Sequence, residues 1–159
     1  QVHRHIYALP EARLTDLRKY LRDLCNGLTE ATLPPAGIHL SCDCETAFME
    51  RDKALAIGLL TNELITNAAK HAIPAGRDGN IEVRFVRTDT GWRLTFADEG
   101  IGMPATKLKV GLGTGLIKQF VHQAGGTLTF GTEAGTKAHL DLPASAVSTG
   151  PETANATLG

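Results

Sequence analysis

Much of what this chain can do is limited by what it lacks. No apolar run approaches the ~20 residues that a membrane-spanning helix needs, and neither sign of charge prevails. The 16 Lys and Arg residues stand against 17 Asp and Glu, a formal net charge of −1. No overall field therefore draws in nucleic acid or anionic lipid. A site for a polyanion must be built locally, from backbone amides, a metal ion and a few basic side chains. Cysteine is scarce: Cys25, Cys42 and Cys44 are all there is. An odd number, with no secretory segment ahead of it, points to reduced thiols in a cytoplasmic protein. Cys42 and Cys44 share one side of a strand, but no second Cys/His pair at zinc-like spacing accompanies them, so they read as core packing. The chain starts at Gln1 rather than Met, which points to a piece of something longer.

What is present suits one globular domain. The 159 residues are 42% hydrophobic and 21% charged, enough to bury a core without disulfides or structural metal. Leu14, Leu17, Leu21, Leu24 and Leu28 recur every three or four positions and predict an amphipathic helix over 14–28. Pro34, Pro35 and Gly37 break the chain before a short strand, Ile38 to Cys42. Glu50 to Ala72 is the longest predicted helix, ended by Ile73-Pro74-Ala75-Gly76. Asn80–Thr88 and Trp92–Ala97 alternate cleanly around Asp89-Thr90-Gly91 and predict an antiparallel hairpin. A glycine-rich stretch from Asp98 to Gly115 leads into a helix over 114–124, which Gly125-Gly126 stops. Two last strands, Thr127–Gly131 and Thr136–Leu142, complete the domain at Pro143. Residues 144–159, rich in Ala, Ser, Thr and Gly, read as a disordered tail. Together these elements predict an α/β two-layer sandwich, a mixed and mostly antiparallel sheet with helices on one face.

Three constellations carry chemistry. The first is Asn62-Glu63-Leu64-Ile65-Thr66-Asn67-Ala68-Ala69-Lys70-His71, inside the long helix. At 100° per residue, Glu63, Asn67, Lys70 and His71 fall within one arc of about 100°. An amide oxygen is a hard, neutral ligand for Mg²⁺, which often takes only one or two protein ligands beside phosphate and water. Glu63, one turn earlier, is placed to orient water or accept a proton, and Lys70 to neutralise phosphate. A plain solvated helix face is the competing reading of this stripe. The second is Asp98-Glu99-Gly100-Ile101-Gly102 at a strand end. The glycines let a planar base approach the backbone, while the carboxylate accepts an exocyclic amine, which selects adenine over guanine. A surface turn reads the same way. The third is Gly111-Leu112-Gly113-Thr114-Gly115 immediately before Leu116. Such a loop offers free amides and the positive end of a helix dipole to phosphate. It is neither a dinucleotide fingerprint nor a Walker loop. In this order, the three supply what a Mg²⁺–ATP site needs.

With these residues in hand, the chain resembles the GHKL ATPase superfamily of histidine kinases, type II topoisomerases, Hsp90 chaperones and MutL-type repair proteins. Within it, the sensor histidine kinases of the HisKA_2 and HWE group are most similar. The resemblance covers nearly everything from Leu14 to Pro143. It makes Asn62–His71 the N box, Asp98–Gly102 the G1 box and Gly111–Gly115 the G2 box of a Bergerat-type fold. His71 ending the N box is a mark of the group, as is the short lid between the glycine boxes, where Lys107 and Lys109 are offered to the phosphates. Gly135-Thr136 matches the closing Gly-Thr, with Thr136 backing Asp98 at the adenine.

Two departures qualify the match. Trp92 lies too far before Asp98 for the Trp-x-Glu mark of the HWE subgroup, which favours HisKA_2. No His-Arg-x-x-Asn-Asn phosphoacceptor motif occurs. His3 and His5 instead resemble the end of the second dimerisation helix, so residues 1–13 read as a remnant of that helical region. The resemblance implies phosphoryl transfer from Mg²⁺–ATP to a histidine on a helix outside this chain. It also implies a downstream response regulator, a homodimer in the full-length protein, a bacterial cytoplasmic setting, and no contact of this domain with membrane or nucleic acid. The alternatives are a serine kinase of the anti-sigma-factor type and a non-catalytic module whose docking surface ATP reshapes.

Overall fold

In the first helix, α1 (Leu17–Ala31), Leu17, Leu21, Cys25 and Leu28 all turn inward and are buried. The leucine period predicted a start at Leu14, but the helix opens three residues later. Thr15–Asp16 (β1) is extended, and the Asp16 carboxylate accepts the Lys19 backbone N–H at 3.1 Å. That contact supplies an N-cap to one of the free amides at the helix start. The computed structural model describes residues 14–31, 37–69, 79–98, 116–131 and 137–150.

After α1 come β2 (Ile38–Cys44), β3 (Phe48–Met49), α2 (Arg51–Asn67), β4 (Gly79–Arg87), β5 (Gly91–Asp98), α3 (Leu116–Ala124), β6 (Thr127–Gly131) and β7 (Lys137–Pro143). Five strands form one sheet in the order β2-β4-β5-β7-β6. The β2–β4 pair is parallel, and the other three pairs are antiparallel. A parallel pair needs a long crossover, and the segment carrying α2 makes it. The predicted mixed, mostly antiparallel sheet is what forms.

The alternation of the strands decides which face meets the helices. Ile81, Val83 and Phe85 of β4 are buried, as are Trp92, Leu94 and Phe96 of β5 and Ala138, Leu140 and Leu142 of β7. Glu82 and Arg84 point the other way and are exposed. On that outer face Arg93 donates two hydrogen bonds to Asp141, at 2.7 and 3.1 Å. These bonds hold the Asp141 carboxyl below its usual range. Beside them Thr95 and His139 share a hydrogen bond of 3.0 Å.

The β4–β5 turn is closed by the Thr88 N–H donating to Gly91 O at 2.7 Å and the Gly91 N–H to Thr88 Oγ1 at 3.1 Å. A side chain at 91 would run into the Leu142 carbonyl, so glycine is required there. Next to the turn, Phe85 and Trp92 stack with centroids 5.1 Å apart, and the Arg87 guanidinium lies 5.5 Å from the Trp92 ring.

Two features had no counterpart in the sequence pattern. β1 pairs antiparallel with β3, Thr15 with Met49 and Asp16 with Phe48. The expectation of a disordered tail from residue 144 fails over residues 144–150. Ala144–Ala146 form a 3-10 turn, and Phe48 and Ser148 exchange backbone hydrogen bonds of 2.7 and 2.8 Å. Val147 supplies the reason, since it packs against the core. A single apolar anchor leaves no periodic signal.

Candidate functional site

The chemistry expected of the first constellation sits on α2. Its inner face is apolar, with Ala54, Ala56, Ile57, Leu60 and Ile65 buried. Gly58 lets the Tyr20 ring of α1 lie directly on the helix where a Cβ would stand. Toward its end the helix departs from regularity. Thr66 Oγ1 donates to the Asn62 carbonyl at 2.9 Å and also reaches that of Glu63 at 3.2 Å. The Ala68 N–H is shared between the carbonyls of Leu64 and Ile65, and residues 68–69 form a π turn. Hydroxyl back-bonding bends helices, and single π turns often mark functional positions. Glu63 and Asn67, both half-buried, lie ahead of this π turn, Asn67 immediately so. Neither Thr66 nor the π turn was foreseen, because a threonine within a helical period does not announce which carbonyl it will take.

Asp98 closes β5. It continues the inward series Trp92, Leu94, Phe96 and is only 5% exposed. Burying a carboxylate is expensive unless it is hydrogen-bonded, and Asp98 does interact within the chain. Its position is the last residue of a central strand, paired with Ile81 and facing the helix layer.

α2 packs against both α3 and β5. Gly125, just past α3, lies beside Lys53 near the start of α2. The two helices therefore run in opposite directions, and the start of α3 lies toward the distorted end of α2. Leu116 opens α3 and is 49% exposed. Glu63, Asn67, Asp98 and Leu116 thus belong to three adjoining elements. Lys70, His71, Gly100, Gly102, Lys107, Lys109, Gly111, Leu112, Gly113, Thr114, Gly115 and Thr136 lie outside the described residues. Among the described residues no group of three or more His, Cys, Asp or Glu side chains forms a metal cage. Mg²⁺ shared between one amide oxygen, phosphate and water asks for none, so Asn67 fits that ion.

Residues 52–146 match the family of histidine kinase-, DNA gyrase B- and HSP90-like ATPases. The chain belongs to that family. The match runs from the start of α2 past the end of β7, and so takes in every element of the site. Blue-light-activated histidine kinase 2 of Erythrobacter litoralis is 30% identical over 115 residues, covering 68% of this chain and 33% of that protein. The chain therefore spans about a third of the length of this curated relative. The histidine kinase domain of an Erythrobacter litoralis blue-light-activated kinase superposes with a TM-score of 0.72 at 26% identity, covering 82% of this chain and 62% of that one. A mycobacterial sensor histidine kinase, MprB, shares the fold at 24% identity, TM-score 0.62, over 82% of this chain and 95% of that one. This fold is the α/β sandwich of the family, and ATP is the nucleotide the family takes. Among the described residues no helix is long and apolar enough to cross a membrane.

Proposed function

We propose that this chain is the ATP-binding catalytic domain of a two-component sensor histidine kinase, passing the γ-phosphate of Mg²⁺–ATP to a histidine on a separate helix. The observation that carries the reading is Asp98, a carboxylate buried at the end of a central strand and facing the helix layer that bears Asn67. Phosphoryl transfer asks little covalent work of such a domain, and mostly requires positioning and charge stabilisation. Asp98 accepts the exocyclic amine of adenine, with Thr136 behind it and Gly100 and Gly102 against the base. Asn67 offers its amide oxygen to Mg²⁺, which when bound neutralises charge between phosphate oxygens. Glu63 orients water or the incoming imidazole. Lys70, His71 and the amides of Gly111–Gly115 and Leu116 hold the phosphates. The names of the relatives support histidine as the acceptor. The same reading extends to a homodimer in the full-length protein, a response regulator downstream and a bacterial cytoplasmic setting.

The test is to mix this chain with ATP, Mg²⁺ and the phosphoacceptor helices of the full-length protein, then assay the helices for phosphate. Acid-labile label is the expected outcome. Acid-stable label would instead identify a serine acceptor, and absence of any label with ATP bound would leave a binding module.

A further inference from the structure

Among the described residues, three threonine hydroxyls bond back to carbonyls of their own helix. Thr29 Oγ1 donates to the Cys25 carbonyl at 2.9 Å, and Thr61 Oγ1 to that of Ile57 at 2.8 Å. Each takes the one carbonyl four residues earlier. Thr66 differs, because its hydroxyl divides one proton between two carbonyls, Asn62 at 2.9 Å and Glu63 at 3.2 Å. By the i to i−4 rule of the α-helix, the Asn62 carbonyl also receives the Thr66 N–H, and the Glu63 carbonyl the Asn67 N–H. The Thr66 side chain is therefore tied to the peptide group from which the Asn67 backbone hangs. On its other side Asn67 meets no regular α turn. It is the last residue of α2, the Ala68 N–H is divided between the Leu64 and Ile65 carbonyls, and residues 68–69 form a π turn. Thr66 is half-buried, and a β-branched residue is a poorer helix former than alanine. Helix propensity does not ask for it, and its hydroxyl is the part of the residue with defined contacts beside the site.

We infer that Thr66 is a positioning residue for Asn67: its hydroxyl fixes the Glu63 carbonyl, and with it the backbone setting from which the Asn67 amide oxygen meets Mg²⁺. The inference rests on the reading of Asn67 as a protein ligand of that ion. Mg²⁺ demands near-ideal octahedral geometry, so a small shift of the ligand's backbone weakens the bond. Groups that orient a metal ligand from behind typically matter ~10–100-fold in affinity. Thr66 acts through a peptide group rather than on the side-chain amide itself, which puts its effect at the lower end, about tenfold.

The test compares Thr66→Val, which keeps the shape and removes the hydroxyl, with Thr66→Ser, which restores it. ATP affinity is measured by calorimetry in Mg²⁺ and again in EDTA. Thr66→Val should bind Mg²⁺–ATP about tenfold more weakly than wild type, Thr66→Ser like wild type, and all three alike in EDTA. In the nucleotide-free chain, amide hydrogen exchange at Asn67 should be faster in Thr66→Val and normal in Thr66→Ser. Thr61→Val, which removes the single back-bond of a fully buried hydroxyl in the same helix, should leave the Mg²⁺ dependence as it is. If Thr66→Val does not fold, Thr66→Ala, the better helix former, takes its place. An equal loss in EDTA, a loss that serine does not restore, unchanged exchange at Asn67, or the same loss in Thr61→Val would overturn the role of Thr66. A metal-dependent wild type beside an unaffected Thr66→Val would do so too, with Asn67 left in place. A wild type that binds ATP without regard to Mg²⁺ would overturn the Asn67 assignment itself, and this inference with it.

Discussion

The two ends of β5 make an instructive pair. At its start, Trp92 stacks on Phe85 beneath Arg87, next to a turn that tolerates only Gly91. Its indole N–H is buried without a hydrogen-bond partner among the described residues, so apolar contact and stacking hold this end. Six residues on, the same strand face ends in the buried carboxylate of Asp98. A leucine there would satisfy the alternation equally well. One end is thus chosen for packing, and the other accepts a polar group that packing does not need. Sequence positions that break a pattern locally are where function is to be sought.

Four changes test this division, and the largest effect belongs to the ligand end. Asn67→Ala should abolish Mg²⁺-dependent ATP binding while circular dichroism stays native. Unchanged metal dependence in calorimetry would remove Asn67 from the metal shell. Trp92→Ala should cost about 3–5 kcal/mol of stability, as large aromatic truncations in cores do, read by urea unfolding. If ATP affinity under folding conditions fell in proportion, the two ends would not be separable.

Asp98→Asn should weaken ATP binding by about 1.5–3 kcal/mol, the worth of a hydrogen bond to a charged group. Its unfolding midpoint should move far less than that of Trp92→Ala, and wild-type affinity in calorimetry would refute the adenine assignment. Smallest is Asp141→Asn on the outer face. The Arg93–Asp141 pair is two-fifths exposed, so solvent screening limits it to at most ~1 kcal/mol. Because Arg93 lowers the folded-state pKa of Asp141, that contribution is complete above the unfolded value near ~4 and disappears as pH falls through the folded one. The variant should therefore lose less stability than wild type on acidification below about pH 4.

Where a residue pattern reflects local geometry, the sequence was legible. The leucine period of α1, the hairpin of β4 and β5, and the stop at Gly125, with φ +79°, all follow from short-range rules. Asp16 was a readable cap that the leucine period obscured. The two-residue strands β1 and β3 were not readable, because two residues cannot show alternation and their pairing spans more than thirty positions. The same holds for Ser148, held by Phe48 a hundred residues earlier in the chain. At the candidate site, Glu63, Asn67 and Asp98 were singled out by the order and spacing of the three constellations rather than by any one of them. The π turn at residues 68–69 was not, since no residue type in that stretch marks it.

The small ladder around Phe48 carries one more consequence. On one side Phe48 is bonded to the strand that enters α1, and on the other to Ser148, beyond the last strand of the sheet. Two positions after it, Glu50 precedes the first turn of α2 and its carbonyl receives the Ala54 N–H. A tug or rotation applied to the chain just ahead of α1 therefore has a short mechanical route to the base of the helix bearing Asn67. The knot of backbone bonds thus joins the entry to α1, the segment after β7 and the start of α2 at one place beside the sheet.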